Sequence, residues 1–348
     1  MGNARKLGGL LNPNSSVGAL SNRNLIINGN FEINQRGRSG SYTSTGFEYG
    51  FDRWAMAKND VVNFTWEFDY FSNGFTDIPG AKGLVQYGLN SANSGTDFVR
   101  LEQRIEDVKT LANEKCTLSF WARSTGSTIT LNQTALTNTG PVGLMQYFGT
   151  GGSPSGVVDI PFTQSITLTS TWTKYIYTID VPSISGKTIG TNGNDHLRLY
   201  ICGMDDDDVG KTVQVAQVQL ERGDTATPFE HRSYGDELAR CQRYYSRLSS
   251  DGTAYAEFGH IAAYSSTNGI AYIQYPTTMR SSPSATQAGS FWASGNANLS
   301  VTTFVFQNAT KNGIRNNVSV SSGYTVDGSY RLRNNNDPDA YMEFDAEL

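Results

Sequence analysis

Short segments in which apolar and polar residues alternate recur along this chain, and they constrain its fold more than any other feature. In TKYIYTIDV (173–181), Tyr175, Tyr177 and Ile179 lie on one side of an extended chain, whereas Thr178 lies on the other. Turns rich in Gly, Ser and Asn separate such segments, which is typical of β-sandwiches and barrels. Further short strands are predicted at 25–27, 117–122, 128–131, 197–201, 212–220, 270–275, 301–306, 318–320 and 342–348.

The strand at 212–220 carries a shift in its alternation. Val213 and Val215 have one parity, and Val218 and Leu220 have the other. This shift predicts either a β-bulge or burial of both faces of the strand.

One segment, at 234–248, has the spacing of a helix instead. Ser233 and Asp236 can cap its start. Its apolar residues recur at intervals of three and four: Leu238, Cys241, Tyr245 and Leu248. A second, short helix is allowed by Ile105, Val108 and Leu111.

The composition argues against several classes of protein. Charged residues are 17% of the chain, the net charge is −5, and no basic cluster occurs, which disfavours nucleic-acid binding. No apolar run is long enough to cross a membrane. Three cysteines, Cys116, Cys202 and Cys241, fit neither a disulfide framework nor a zinc site, so we expect buried or free thiols. We expect synthesis in a host cytoplasm without secretion.

Residues 1–23 differ from the rest of the chain. Gly, Asn, Ser and Pro dominate, and such a segment buries too little apolar area to fold alone. It is either a disordered terminus or an arm that becomes ordered on a partner. The candidate docking residues are Arg5, Lys6, Leu7, Leu10 and Leu11.

Four adjacent aspartates at 205–208 form the densest charge in the sequence. Adjacent carboxylates repel one another unless they are solvated or bound to a cation. The spacing does not match an EF-hand loop, because Val209 and Ala216 occupy ligand positions. An exposed acidic turn and a calcium loop that uses Asp205 and Asp207 both remain open.

Several blocks together resemble the jelly-roll module of tailed-bacteriophage virion proteins, especially tail fibres, which is similar to carbohydrate-binding modules of the xylanase-associated type. The blocks are NLIINGNFEINQRG (24–37), GFDRW (50–54), LSFWARS (118–124), STWTKYIYTIDVP (170–182), VQLERGDTATPFEHR (218–232), ELARCQRYYSR (237–247), YIQYPTTMRSSPSA (272–285) and AYMEFDAEL (340–348). The resemblance implies a virion surface protein. It also implies a structural calcium near the first strand, with Glu32 as its candidate ligand.

These observations predict an all-β chain in four parts: a docking arm at 1–23, a jelly-roll β-sandwich at 24–232, a short linking helix at 233–248 and a smaller C-terminal β domain at 249–348. The resemblance implies a non-enzymatic tail-fibre or receptor-binding protein, expected as a homotrimer that contacts other virion proteins and host surface glycan. The alternative is a capsid decoration protein docked through the arm. We expect a location on the virion surface, at the tail rather than the capsid.

Glycan binding requires aromatic rings to stack on sugars and planar polar groups to bind their hydroxyls. Trp54, Trp121 and Trp172 lie in the family-like blocks and are interpreted as core. Aromatic residues in turn-rich segments are better candidates for ligand contact: Tyr42, Phe47, Tyr70, Phe71, Tyr147, Phe148, Phe291, Trp292 and Tyr324. No spacing selects a nucleophile, a phosphate loop or a catalytic carboxylate pair, so we expect a protein that is not an enzyme.

Overall fold

Antiparallel strands dominate the computed structural model, which describes residues 22–37, 40–42, 46–59, 63–91, 98–132 and 140–348. The chain divides into a first unit, made of residues up to 237 together with 348, and a second unit, 238–347. The expected all-β class is confirmed. The predicted docking residues of the arm (Arg5, Lys6, Leu7, Leu10 and Leu11) lie outside the described residues.

The first unit is a jelly-roll sandwich of two six-stranded sheets. Sheet one contains, in spatial order, β1 (Gly40–Tyr42), β4 (Asn63–Tyr70), β5 (Gly83–Ser91), β14 (Thr212–Arg222), β7 (Lys115–Ser124) and β12 (Thr173–Asp180). Sheet two contains β10 (Val158–Thr163), β9 (Val142–Tyr147), β13 (His196–Asp205), β6 (Phe98–Glu106), β3 (Trp54–Asn59) and β2 (Gly46–Phe51). A separate ribbon pairs β8 (Ile129–Asn132) with β11 (Ser165–Leu168).

The inner faces of the two sheets form the main core. Trp54 of sheet two and Phe120 of sheet one are fully buried in it. Tyr87 of β5 reaches across the sandwich, where its hydroxyl lies 2.9 Å from the carbonyl oxygen of Ile201 in β13. A buried tyrosine that finds such a partner adds apolar area without leaving its hydroxyl unpaired. Of the tryptophans predicted as core, Trp172 belongs to a smaller cluster and Trp121 is half-buried beside it.

Both predicted causes of the parity shift occur in β14: residues 215–221 are all buried, and the strand contains a bulge. Its pairing with β7 shifts register between Ala216 and Gln219, and Gln217 has a φ of 45°. The segment at 24–29 packs into this irregularity, where the amide of Val218 donates to the Gly29 carbonyl at 2.8 Å. A β-carbon on Gly29 would lie 2.2 Å from the Val218 oxygen, so only glycine fits here. The predicted strand at 25–27 is wrong, because this segment bonds to the bulge outside any regular strand pairing.

A buried ion cluster fastens the same segment to the end of the first unit. Arg232 donates to the carbonyl of Ile26 at 3.0 Å and pairs with Glu230 and Glu237 at 3.2 Å each. The three charged side chains are at most 11% exposed. Glu237 also accepts a hydrogen bond from the amide of Asn28. Such a cluster is stable only while every charge keeps its partner.

The helix α1 (Tyr234–Gln242) begins as predicted but is shorter. Ser233 Oγ accepts a hydrogen bond from the amide of Asp236 at 3.2 Å, as expected of a cap. The prediction that the helix continues to Leu248 is wrong, because 245–249 form a strand. The division between the units falls after Glu237, inside the predicted linking helix. The segment at 107–113 forms turns in place of the allowed second helix.

The second unit combines a small sheet with a closed barrel. The sheet contains β15 (Tyr245–Ser249), β23 (Tyr341–Asp345) and β18 (Ser284–Ala288). The barrel contains β16 (Glu257–Ala263), β17 (Asn268–Gln274), β21 (Gly313–Val320), β20 (Asn298–Gln307), β19 (Phe291–Ser294) and β22 (Ser329–Asn334). The alternation predicted for the last segment is confirmed, since Met342 and Phe344 are buried and their chain neighbours are only half-buried. The strand that carries them, β23, lies between β15 and β18.

Two expectations from composition can be compared with the described residues. Cys116, Cys202 and Cys241 are buried, as expected. Within the described ranges, no helix is both long and apolar enough to cross a membrane.

We predict that Arg232→Met lowers the free energy of unfolding of the first unit by about 3–5 kcal/mol, because Glu230 and Glu237 would be left buried without their cation. Urea denaturation measures this change. The matched control is Arg222→Met, which removes an arginine that is 51% exposed and pairs with Glu114. This control should cost less than about 1 kcal/mol. Equal effects of the two variants would contradict the role assigned to the cluster.

Candidate functional site

The outer face of sheet two, which points away from the main core, carries a cluster of aromatic and charged side chains. Along β13, Leu197 and Leu199 pack into the core. Because side chains alternate across a strand, His196, Arg198 and Tyr200 lie on the opposite face. The pairing registers place residues of four other strands beside them.

One row of this face crosses five strands. In order from β9 to β2 it consists of Gly143, Tyr200, Glu102, Ala55 and Tyr49. A β-carbon on Gly143 would lie 2.1 Å from the Tyr200 hydroxyl oxygen, so the glycine leaves room for the tyrosine over β9. A second row places Asp159, Met145, Arg198 and Arg104 side by side on β10, β9, β13 and β6.

Glu102 is the centre of this face. Its side chain is fully buried, and it pairs with Arg100 Nε at 2.6 Å and with Arg198 Nε at 3.4 Å. The Arg100 guanidinium also lies 4.7 Å from the ring centre of Tyr200 and 4.8 Å from that of Phe98. Two arginines that share one carboxylate and stack on rings have little freedom to move, so they form a rigid polar floor.

Asp159 extends this floor. The Tyr200 hydroxyl donates to Asp159 Oδ1 at 2.9 Å. Burial raises the pKa of the Asp159 carboxyl above its usual value, while the hydrogen bond from Tyr200 and the charge of Arg100 oppose that shift. Burial also raises the pKa of the Tyr200 hydroxyl, which therefore stays protonated and acts as the donor.

His196 is held neutral at the edge of the floor. Its Nδ1 lies 2.9 Å from the carbonyl oxygen of Asn194, so this nitrogen carries the proton, and its Nε2 faces Arg198 Nη2 at 3.5 Å. Burial lowers the pKa of the imidazole to about 3, and the positive charges of Arg104 and Arg198 act in the same direction. A neutral ring can accept a hydrogen bond from an arginine, whereas a protonated ring would repel it.

Half-buried rings border the floor at two edges. At one edge, the ring of Tyr147 packs on His196 with centroids 4.7 Å apart, and Arg198 lies 5.7 Å from the Tyr147 ring centre. At the other, Arg104 lies 3.5 Å from the ring centre of Phe47, which packs edge-on against Tyr49. Each edge therefore combines an aromatic ring with an arginine. At the second edge, Arg104 Nη1 also donates to the carbonyl of Leu348.

The glycan-binding candidates predicted from the sequence separate into groups. Phe47 and Tyr147 lie on this face. Phe148 is buried, and in the second unit Phe291 and Tyr324 are buried too, so ligand contact by these three stays a prediction. Tyr42 lies in β1, and its side chain is outside the described residues.

The other candidates lie elsewhere. Tyr70 is 58% exposed at the end of β4 in sheet one. Phe71 stacks on Phe75 at 4.0 Å in the smaller cluster that contains Trp172. Trp292, on the barrel of the second unit, is half-buried and stacks on Tyr255 with centroids 5.8 Å apart.

Sequence reasoning missed most of the floor. Arg100, Glu102, Asp159, His196, Arg198 and Tyr200 were not predicted as site residues. The alternation at 197–201 could have indicated that His196, Arg198 and Tyr200 share a face. It could not indicate which strands lie beside them, because strand register joins residues far apart in the sequence.

The predicted calcium ligands do not form a carboxylate cage. Within the described ranges, no group of three or more His, Cys, Asp or Glu residues is arranged to hold a metal ion. Glu32 accepts a hydrogen bond from Asn30 Nδ2 at 2.7 Å. Asp205 caps a single 3-10 turn by accepting from the amide of Asp207 at 3.2 Å, and Asp208 pairs with Lys211. Burial and the charge of Asp208 raise the pKa of Asp205 to about 6.

No family model matches the sequence, and no curated protein matches it. The solved structures that align with it in part include the enzymatically active domain of tailspike protein 4 of bacteriophage CBA120 (14% identity, 58% of this chain and 22% of that chain, TM-score 0.28). They also include the CBM22-1 xylan-binding domain from Paenibacillus barcinonensis Xyn10C (10% identity, 54% and 95%, TM-score 0.29). A third is the family 11 carbohydrate-binding module from Clostridium thermocellum in complex with a mixed-linked tetrasaccharide (13% identity, 51% and 96%, TM-score 0.29). The chain aligns with only about a fifth of the tailspike domain, and the jelly-roll assignment depends on the sheet topology above.

We predict that His196→Gln flattens the pH dependence of stability of the first unit. The folded pKa of about 3 lies below the unfolded value of about 6.5, so the unfolded chain binds more protons between these limits. The wild type therefore loses up to about 1.4 kcal/mol of unfolding free energy per pH unit as pH falls below about 6, from this group alone. Asp205 acts in the opposite direction, because a raised pKa favours the folded state as pH falls, and it acts equally in both proteins.

Urea denaturation of both proteins between pH 7 and 4 measures the difference. His260→Gln, at an exposed position of the barrel, supplies a matched control that should keep the wild-type slope. If H196Q also keeps that slope, His196 is not held neutral by burial.

Proposed function

We propose that this chain is a non-catalytic surface protein of a tailed-phage virion and that it binds host glycan through the outer face of sheet two. The observation that carries the proposal is the combination of half-buried rings at the two edges of the face with a fixed arginine–carboxylate floor between them. Sugars present an apolar C–H face and a rim of hydroxyls, which match a ring and a planar hydrogen-bonding group respectively.

The chemistry of the floor favours binding over catalysis. Glycoside hydrolysis needs a carboxyl that can exchange a proton with the substrate. Glu102 is fully buried and shared by two arginines, which keeps it out of reach of a substrate. Its role on this face is therefore to hold Arg100 and Arg198 in place.

The virion part of the proposal comes from the sequence blocks that resemble tail-fibre proteins. A single shallow site of this kind binds weakly, and several copies on one particle would raise the avidity by orders of magnitude. A homotrimer, as the resemblance implies, would be one such arrangement. Immunogold labelling of the intact particle should place the chain at the tail. Label spread over the head would instead favour capsid decoration.

We predict that Tyr147→Ala lowers glycan affinity about tenfold, which corresponds to about 1.4 kcal/mol, because the stacking surface beside Arg198 is lost. The full chain is screened first on an array of bacterial surface glycans, and the affinity for the best glycan is then measured by calorimetry.

Tyr70→Ala is the matched comparison, since it removes an exposed tyrosine that lies on sheet one. We expect Y70A to bind like the wild type. Loss of binding in Y70A but not in Y147A would move the site away from sheet two. If the wild type binds no glycan on the array, the proposed function as a whole is contradicted.

A further inference from the structure

A cavity of about 330 Å³ lies at one end of the barrel in the second unit. It is bounded by the turn that joins β19 to β20, which contains Gly295, Asn296 and Ala297, and by the connection from β21 to β22, which contains Thr325. Ser329 and Tyr330 of β22 complete the wall. This volume is at the lower end of the range for small-ligand sites, about 300–1,000 Å³.

Glycines keep the cavity open. A β-carbon on Gly295 would lie 2.9 Å from the ring of Tyr330, and one on Gly328 would lie 2.8 Å from the carbonyl oxygen of Thr325. Side chains at these positions would therefore press on the wall. Both glycines belong to the lining itself, so the space depends on their lack of side chains.

The tyrosine that forms the wall is fixed in position. The amide of Thr325 donates to the Tyr330 hydroxyl at 2.7 Å, and that hydroxyl faces the carbonyl of Gly323 at 3.4 Å. A ring held at its hydroxyl in this way keeps its place whether or not a ligand is bound, which lowers the entropic cost of binding.

A second observation, independent of the cavity, concerns Tyr324. Its side chain is 5% exposed, and its hydroxyl has no hydrogen-bond partner among the described residues. Its ring centre lies 4.8 Å from that of Tyr330, and both of its chain neighbours, Gly323 and Thr325, line the cavity. An unpaired buried hydroxyl is destabilising, and such groups call for an explanation in terms of a bound water, a ligand or a functional role.

The chemistry of the lining selects the class of ligand. No charged side chain lines the cavity, whereas the amide of Asn296 and the hydroxyls of Thr325 and Ser329 do. An anionic or cationic ligand would lose its hydration there without gaining a counter-charge. A neutral molecule with many hydroxyl groups would exchange its hydrogen bonds with water for bonds to the lining.

We infer that this cavity is a second binding site, one that takes a neutral monosaccharide or the neutral terminal sugar of a glycan. It lies wholly within the second unit and does not depend on the outer face of sheet two. The chain would then carry two sites on two separately folded parts.

The test uses the full chain with Tyr147→Ala as background, so that the site proposed on sheet two is weakened about tenfold. Saturation-transfer NMR is recorded with glucose, galactose, mannose and N-acetylglucosamine. We expect transfer to at least one of these sugars. Adding Ala297→Trp, which fills the cavity from an exposed position, should reduce the transfer at least about fivefold.

Two further variants keep the result interpretable. Ala254→Trp adds the same indole at an exposed alanine outside the lining and should leave the transfer unchanged. Asn296→Ala combined with Ser329→Ala removes hydrogen-bonding groups without adding volume and should abolish the transfer. The inference is overturned if the Y147A background shows no transfer to any of the four sugars, or if the N296A/S329A variant keeps the full signal. Either result leaves the binding of the wild type through sheet two to be judged by its own variants.

Discussion

The segment at 24–29 is the constraint on which the first unit depends, because it ties the two sheets of the sandwich together. It bonds to the bulge of β14 in sheet one through Gly29 and Val218. It bonds to β6 in sheet two through Gln103, whose amide oxygen accepts from the Ile27 amide and whose amide nitrogen donates to the Ile27 carbonyl, both at 2.8 Å. Apolar contacts between the sheets are not directional, so these hydrogen bonds, together with the one from Tyr87 to Ile201, fix how the two sheets are placed.

The same segment also orients the strands that carry the candidate glycan-binding face, through contacts on the inner side of sheet two. Trp54 Nε1 donates to the carbonyl of Asn28 at 3.0 Å, which fixes the side of β3 that faces the core. Ala55 must then face outward beside Glu102. Gln103, held by Ile27, fixes β6 in the same way, so that its neighbours Glu102 and Arg104 point to the outer face. The Arg232 cluster holds the segment at 24–29 from the end of the first unit, through the hydrogen bond from Arg232 to the carbonyl of Ile26. We therefore expect loss of the cluster to disturb the positions of β3 and β6.

Local patterns predicted those features that local physics decides. Alternation and short apolar runs identified nine of the 23 strands among the described residues. The change of parity in 212–220 predicted either a bulge or burial of both faces, and β14 shows both. These signals depend on neighbouring residues only. The helix prediction was wrong at its C-terminal end, where residues distant in the sequence decide the structure. Leu248 continues the helical spacing, yet it pairs with Met342, nearly a hundred residues away, and the strand pairing overrides the local pattern. The candidate face was not predicted for a similar reason, since Tyr200, Glu102 and Asp159 meet only through the register of strands that are separated in the sequence.

Several of the chain's charged side chains are paired with one another inside the fold. Arg100 and Arg198 share Glu102, Arg232 is shared by Glu230 and Glu237, and Lys211 pairs with Asp208. Paired opposite charges fix the positions of their side chains, but their electrostatic fields largely cancel at a distance, so they attract a distant ligand only weakly. Both proposed sites therefore rely on ring surfaces and on short-range hydrogen bonds, which act only at contact and discriminate by shape. A protein built in this way gains little from long-range attraction, so under the proposed function its affinity for a cell surface would come from the number of sites that bind at the same time.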